Sequence, residues 1–433
     1  MTKLINFFKG HPTLALLPNE DLAAAFRKVI VDNRYHDYEL SNTSRHPLQY
    51  GTDPGNLEIR TDLVRWSNSK FGRTNDSPDS VNLTGGASFG AANILTAISD
   101  PLVTKQVFLV SPTYFLINYA FIDAGFEGKM SAVRETPGGK YEIDLDGLES
   151  KLSELDAQFG LDPVTDKEIN IVEDPTGRGP RKQYRYAMYL VPTFSNPGGI
   201  TYSYETRLKL IQIARKHDLL LISDDVYDYL SYDGKPPVLK LNHIDEDTLP
   251  EGWRFGNTVS NCSFSKIVAP GLRAGWQETA TPALAQQLAT TGANKSGGAP
   301  SQLNSFVVHE FVASGTLDAT ISRFVETYKA RADVLKAAVK KYLPKNTKLY
   351  GGDGGYFLWV EIEGLDVAES LEDLAKDHKV VIPDGHNFEV TGDELGWGKK
   401  CARLCVALLT EEEIEEGIRR WGEQLREKHA EIF

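Results

Sequence analysis

Three short runs in this chain are apolar along their whole length: Val107-Phe108-Leu109-Val110, Ala187-Met188-Tyr189-Leu190-Val191 and Leu219-Leu220-Leu221-Ile222. A strand with one wet face alternates polar and apolar residues. A strand that does not alternate is covered on both faces, as in parallel sheets. Thr258 to Phe264 reads as a fourth strand, and helical patterns at Ser88 to Ser99 and Tyr204 to His217 lie between the runs. From about Gln49 onward, this strand–helix alternation predicts an α/β fold with a mostly parallel sheet sandwiched by helices. After about His309 the pattern changes. A long amphipathic stretch (Phe311, Ile321, Phe324, Tyr328, Leu335) leads to a strand at Tyr356 to Val360 and a helix at Val367 to His378. A strand at Arg403 to Leu409 and a helix from Glu411 follow. That order predicts a smaller α+β domain. Leu161 to Arg185 and Asn242 to Gly256, charged and proline-bearing, are expected to be surface insertions.

Composition narrows the function classes. The chain has 433 residues, with 47 Lys and Arg against 60 Asp and Glu, a net charge of −13. Such a surface repels phosphate backbones and anionic lipid, so neither nucleic acid nor membrane is an expected partner. Any anionic ligand needs a local cationic site. No stretch approaches the ~20 apolar residues of a membrane span. Three cysteines, an odd number in a long chain, argue for a reducing, cytoplasmic compartment and against a disulfide framework. The first dozen residues carry neither a secretory nor a transit pattern. The nine histidines show no metal-ligand spacing, so no metal is expected.

In open α/β sheets, ligands bind beyond the carboxyl ends of the strands. Reading just past each strand collects Pro112-Thr113-Tyr114, Ser195-Asn196-Pro197-Gly198-Gly199, Asp224-Asp225-Val226-Tyr227 and Ser263-Phe264-Ser265-Lys266, followed by Arg273. Thr84-Gly85-Gly86-Ala87-Ser88 opens a helix, and free N–H groups there can meet an anion. The same loop can equally be a plain turn. It does not fit Gly-x-Gly-x-x-Gly, which removes a nicotinamide reading. Ser263, Ser265 and Arg273 can together satisfy a small dianion, or be a serine-rich strand end with a surface arginine. Lys266 can be a charge partner or, if its amine is partly neutral, a Schiff-base nucleophile. Asp224 and Tyr227 can hold a ring N–H⁺ and an adjacent ring oxygen, or sit in a solvated turn.

Taken together, these residues resemble the pyridoxal-phosphate-dependent aminotransferases of class I/II, the fold-type I group, and most closely the 2-aminoadipate and kynurenine subgroup. The resemblance runs from about Gly10 to Gly417. Its most specific part is SFSKIVAPGLRAGW, Ser263 to Trp276. LQYGTDPGNLEIR (Leu48 to Arg60), PTY (Pro112 to Tyr114), SNPGG (Ser195 to Gly199) and DDVY (Asp224 to Tyr227) follow the family's order.

The resemblance implies a large domain over 46–309 with a mostly parallel seven-stranded sheet, and a small C-terminal domain over 310–433. Residues 1–45 would contribute to the small domain and the substrate site. It implies that Lys266 forms the internal aldimine with pyridoxal 5′-phosphate, and that Asp224 keeps the pyridine nitrogen protonated. Tyr227 and Asn196 would bond the ring oxygen, and Tyr114 would stack on the ring. Ser263, Ser265, Arg273 and the backbone at Ala87 and Ser88 would hold the phosphate. Tyr50 resembles the tyrosine that reaches a neighbouring subunit's phosphate, implying a homodimer with shared active sites. Arg403 would bind the substrate α-carboxylate, and Gly10 would lie beside the substrate. Ala87-Ser88-Phe89 stands where many relatives carry a Ser-Gln pair.

The implied reaction moves an amino group from 2-aminoadipate, an aromatic or a long-chain amino acid to a 2-oxo acid such as 2-oxoglutarate. The same lysine and aspartate also serve a β-lyase or related elimination. A ligand-sensing regulator with an aminotransferase-like domain ranks lower, because family-like sequence begins within the first dozen residues of an acidic chain.

Overall fold

A computed structural model describes residues 3–31, 35, 38, 40–75 and 77–433. The central sheet has seven strands: β1 (Val81–Thr84), β2 (Gln106–Ser111), β3 (Met130–Arg134), β4 (Tyr186–Leu190), β5 (Leu219–Asp224), β6 (Thr258–Ser263) and β7 (Gly275–Thr279). Their order across the sheet is β1-β7-β6-β5-β4-β2-β3. Only β7 runs antiparallel to its neighbours, β1 and β6. The other pairs are parallel.

The uniformly apolar runs are strands covered on both faces. Phe108, Val110, Met188, Leu190, Leu219 and Leu221 enter one core cluster, whereas Val107, Leu109, Ala187, Tyr189, Leu220 and Ile222 enter another. Successive residues alternate between the two cores, as a pleated strand requires. The helix at Tyr204–His217 starts where Ser203 Oγ accepts from Thr206 N and ends with Arg215, Lys216 and His217 in its last turn. Both ends thus meet the charge and hydrogen-bond demands of a helix terminus.

A second sheet of β8 (Thr347–Gly351), β9 (Phe357–Ile362) and β10 (Cys401–Cys405) is antiparallel, in the order β8-β9-β10. Helices at Thr316–Tyr342 and Glu411–Lys428 pack against each other beside it. The long amphipathic stretch is broken in two at Gly315, where φ is 75° and the helix Gln302–Ser314 ends. Glycine takes that left-handed cap without a Cβ penalty. Near the N-terminus, Ile5–Asn6 pairs in parallel with Val380–Val381. Among the described residues, no helix is long and apolar enough to cross a membrane.

The two expected surface insertions need correcting. Residues 161–185 include a hairpin, Ile171–Glu173 with Pro180–Lys182, and then turn inward. Lys182 Nζ is buried against Asp218 at 2.6 Å, and the Tyr184 hydroxyl donates to Gly256 O at 2.7 Å inside the core. The start of the second segment lies in the helix Leu241–Asp247. Its Asp245 is fully buried and accepts from Arg215 Nη2 and Asn257 N, both at 2.7 Å. Charge and proline mark a break in periodicity. They do not distinguish a solvated charge from one that is buried and paired.

Candidate active site

The carboxyl ends of β2, β4, β5 and β6 open onto a cavity of about 380 Å³. Gly10, Ala87, Ser88, Tyr114, Asn196, Asp224, Tyr227, Ser263, Ser265, Lys266, Arg273 and Arg403 all line it. Every candidate residue read from the sequence is therefore brought together, with one exception. Tyr50 lies elsewhere on the chain, 80% exposed.

Asp224 ends β5 and is buried. Tyr189 donates to its Oδ2 at 2.5 Å, while Oδ1 is buried with no partner among the described residues. Burial pushes this carboxyl up to about 7; the Tyr189 bond and Lys266 pull the other way. Lys266 follows β6. Its Nζ donates to Gly10 O at 3.2 Å and lies 5.1 Å from the Tyr356 ring centre. Burial brings the amine down to about 8, helped by the positive charges of Arg403 and Arg273 and opposed by Asp224. An amine in that range is a usable nucleophile and base near neutral pH. Burial also raises the Tyr227 and Tyr114 phenols above their ordinary value, so both remain hydrogen-bond donors.

Opposite Lys266, β10 delivers Arg403, which is 3% exposed. Its Nη1 donates to Asn196 Oδ1 at 2.9 Å and its Nη2 to Phe8 O at 2.7 Å. Its Nε has no partner among the described residues. The guanidinium stands 4.2 Å from the Phe357 ring centre and 4.7 Å from that of Phe388. A charged plane fixed between two rings retains the fork that matches a carboxylate.

At the other end of the cavity, Gly86 has φ 92° and precedes the helix Ala87–Ile98, whose first turn has no side-chain cap. A Cβ on Gly86 would lie 3.6 Å from both Arg273 Nη2 and Ser263 Oγ. A Cβ on Gly275 would come within 2.9 Å of Gly86 Cα, so glycine there admits the turn. Ser263 Oγ donates to Ser265 Oγ at 2.9 Å and accepts from Ser265 N at 3.1 Å. Hydroxyls, a guanidinium and free helix N–H groups thus converge on one point suited to a phosphate.

A model described as aminotransferase class I and II matches residues 5–420. The chain belongs to this family. The aminotransferase is 44% identical over 435 residues to an uncharacterized protein of Saccharomyces cerevisiae, covering 97% of this chain and 96% of the other. It is 27% identical to the aromatic-amino-acid aminotransferase 1 of Thermococcus litoralis, covering 90% and 82%. Among solved structures, the multiple substrate aminotransferase of Thermococcus profundus superposes with a TM-score of 0.77 at 26% identity, covering 100% of this chain and 93% of that one. The fold is the fold-type I aminotransferase fold.

Enzymes of this family generally depend on pyridoxal phosphate, and the site has the features such a group needs. The partnerless Asp224 Oδ1 can accept from a pyridine N–H⁺, the Lys266 amine can meet an aldehyde, and the Gly86 turn can take the phosphate. Several contributors escaped the sequence reading. Tyr189 could have been found: a tyrosine within a buried apolar strand needs a partner for its hydroxyl. Phe8, Phe357 and Phe388 carried no local signal, because only the fold brings them to Arg403.

Proposed function

We propose that this aminotransferase is a pyridoxal-phosphate-dependent transaminase. It moves an amino group from 2-aminoadipate, an aromatic or a long-chain amino acid to a 2-oxo acid such as 2-oxoglutarate. One observation carries the reading. A buried carboxyl with a partnerless oxygen (Asp224), an amine lowered to about 8 (Lys266) and a buried guanidinium bonded only to neutral acceptors (Arg403) line one cavity.

When bound, the cofactor supplies an aldehyde that takes the amino group and a ring that draws electrons as the substrate α-proton leaves. The chain's own residues do the rest. Lys266 Nζ would hold the aldehyde and, when free, would be the base that accepts and returns the substrate α-proton. Asp224 Oδ1 would hold the ring N–H⁺, with Oδ2 oriented by Tyr189. Tyr227 and Asn196 would bond the ring oxygen, and Tyr114 would lie against the ring. Ala87 and Ser88 backbone N–H groups, Ser263, Ser265 and Arg273 would hold the phosphate. Arg403 grips the α-carboxylate. Asn196, already bonded to Arg403, links the two subsites. Gly10 would lie beside the substrate; it packs closely on Phe357 of the cavity wall, since a Cβ there would lie 2.9 Å from Phe357 Cζ.

Tyr50 completes a second copy's phosphate site in a homodimer, a reading supported by its exposure. The two separate sheets support domains over 46–309 and 310–433, with 1–45 shared between the small domain and the substrate site. The compartment is cytoplasmic on cysteine usage. Adding pyridoxal phosphate to the purified protein gives a visible absorbance band that is lost in Lys266→Ala. Amino acids bleach that band, and a 2-oxo acid restores it. Protein that stays colourless overturns the proposal. Ammonia release with no 2-oxo acid present moves it to elimination.

A further inference from the structure

Transamination places two partners in one cavity in turn, and their side chains can differ in charge. Around the substrate end, Phe8, Phe115, Leu116 and Phe357 make the lining apolar, which suits an aromatic or long-chain amino acid. A dicarboxylic partner needs a second cation, all the more because the chain carries a net charge of −13. The cationic side chains lining the cavity are Lys9, Lys266, Arg273 and Arg403. Three of them serve the aldehyde, the phosphate and the α-carboxylate in the proposed function. Lys9 is left over.

We infer that Lys9 is the specificity-determining residue that admits a second carboxylate, so that one apolar cavity also takes a dicarboxylic amino acid or 2-oxo acid. The inference rests on the transaminase reading. Lys9 is exposed, and no carboxylate among the described residues pairs with it. Its backbone is held on both sides. Phe8 O accepts from Arg403 Nη2 at 2.7 Å, and Gly10 O accepts from Lys266 Nζ at 3.2 Å. The root of the side chain is thereby fixed between the two cations that meet the substrate's α-carbon and α-carboxylate. Beyond that root, the stem is flexible. A lysine can lie outward while an apolar side chain fills the cavity, and swing inward as a point charge for a distal carboxylate. Lys9 thus explains how apolar walls and a dicarboxylic acceptor are compatible.

The test measures binding by calorimetry on the cofactor-loaded protein, using glutarate (two carboxylates, no amine) and 3-phenylpropionate (one carboxylate, apolar). The readout is the ratio of the two affinities. Lys9→Ala is expected to lower the glutarate preference about fivefold, the scale of one partly exposed ion pair. Lys9→Glu lowers it further, because like charges then face each other. Lys9→Arg restores the ratio to within about twofold of wild type. Salt weakens glutarate binding more in wild type than in Lys9→Ala. An unchanged ratio in Lys9→Ala, equal losses for both ligands, or no measurable glutarate binding to wild type overturns the inference. A shifted ratio in a protein that transfers no amino group overturns the transaminase reading while leaving the Lys9 contact standing.

Discussion

Two lysines near β6, Lys240 in the core and Lys266 half-buried in the cavity wall, are set up in opposite ways. Lys240 is fully enclosed. Its Nζ lies 3.1 Å from Glu278 Oε1 and within 6 Å of the Phe71, Tyr229 and Trp276 ring centres, at 5.3, 5.6 and 5.9 Å. Burial opposes its charge, yet Cys262, Glu278, Tyr229 and Asp228 together outweigh burial, and the amine is held well above its ordinary value. Glu278 is lowered in turn: burial raises it, but Lys240, His243 and the Trp276 hydrogen bond together outweigh burial there. Lys266 has a carbonyl as acceptor where Lys240 has a carboxylate, and its amine falls to about 8. Burial alone does not make a lysine reactive. What matters is whether the fold also supplies a counter-charge in contact. Where it does, the lysine is structural; where it withholds one, the lysine is available for chemistry.

The comparison breaks if the two lysines respond alike to removal. Lys266→Ala is expected to lower kcat by at least about 10³-fold, since it removes both anchor and proton carrier. The melting temperature should hold or rise slightly, because no ion pair is lost. Lys240→Met should do the reverse. Glu278 is then left charged and unpaired in the core, at a cost of about 3–5 kcal/mol, while kcat of the folded protein stays near wild type. The double variant Lys240→Met/Glu278→Gln should recover much of that stability. Urea unfolding and steady-state turnover on the same preparations check both expectations. A large loss of stability in Lys266→Ala, or a large loss of kcat in Lys240→Met, removes the distinction.

The reactive half of this pair was far more legible in the sequence than the structural half. Lys266 lies in a dense local motif at a predicted strand end, and Asp224 and Asn196 follow short, unbroken apolar runs that read as strands covered on both faces. The helical pattern at Tyr204 to His217 matches the structure to the residue. Lys240 had no such context, because its partners Ser67, Cys262 and Glu278 are scattered along the chain. The same holds for Lys182 with Asp218, which buries the end of a segment that is otherwise at the surface as expected. Local chemistry is written in adjacent residues, whereas long-range ion pairing exists only once the sheet has set the register. Tyr50 marks a further boundary: its expected partner lies on another copy of the chain.

Arg403 sharpens the contrast, as a buried cation that contacts no carboxylate among the described residues. Its partners, Asn196 Oδ1 and Phe8 O, are neutral, and its charge remains available to a substrate. Arg403→Lys keeps the charge but loses the planar fork and its seat between Phe357 and Phe388. A fall in kcat/KM of roughly 30- to 100-fold, about 2–3 kcal/mol, is expected. The loss should be the same for aromatic and aliphatic amino acids, because the α-carboxylate is common to all. A loss confined to one side-chain class would assign Arg403 to side-chain selection instead.

The smallest effect concerns the carboxyls that face these cations. The ordinary value of Asp224 is 3.8, and burial raises it to about 7 in the fold. The folded state therefore binds the proton more tightly than the unfolded chain. That contribution to stability is fully present below about pH 3.8 and is lost as pH rises through 7. In cofactor-stripped protein, Asp224→Asn removes the titration. The variant should gain on wild type by about 1–3 kcal/mol between pH 4.5 and pH 8. Glu278 has the opposite sign, since its folded value is lowered: its contribution is present above the ordinary 4.5 and disappears in acid. Glu278→Gln should therefore lose ground to wild type as pH rises towards 4.5 and show little further change above it. Urea unfolding from about pH 3 to pH 8 reads both trends. If they share a sign, the fold does not hold Asp224 as the uncompensated carboxyl that the proposed ring contact requires.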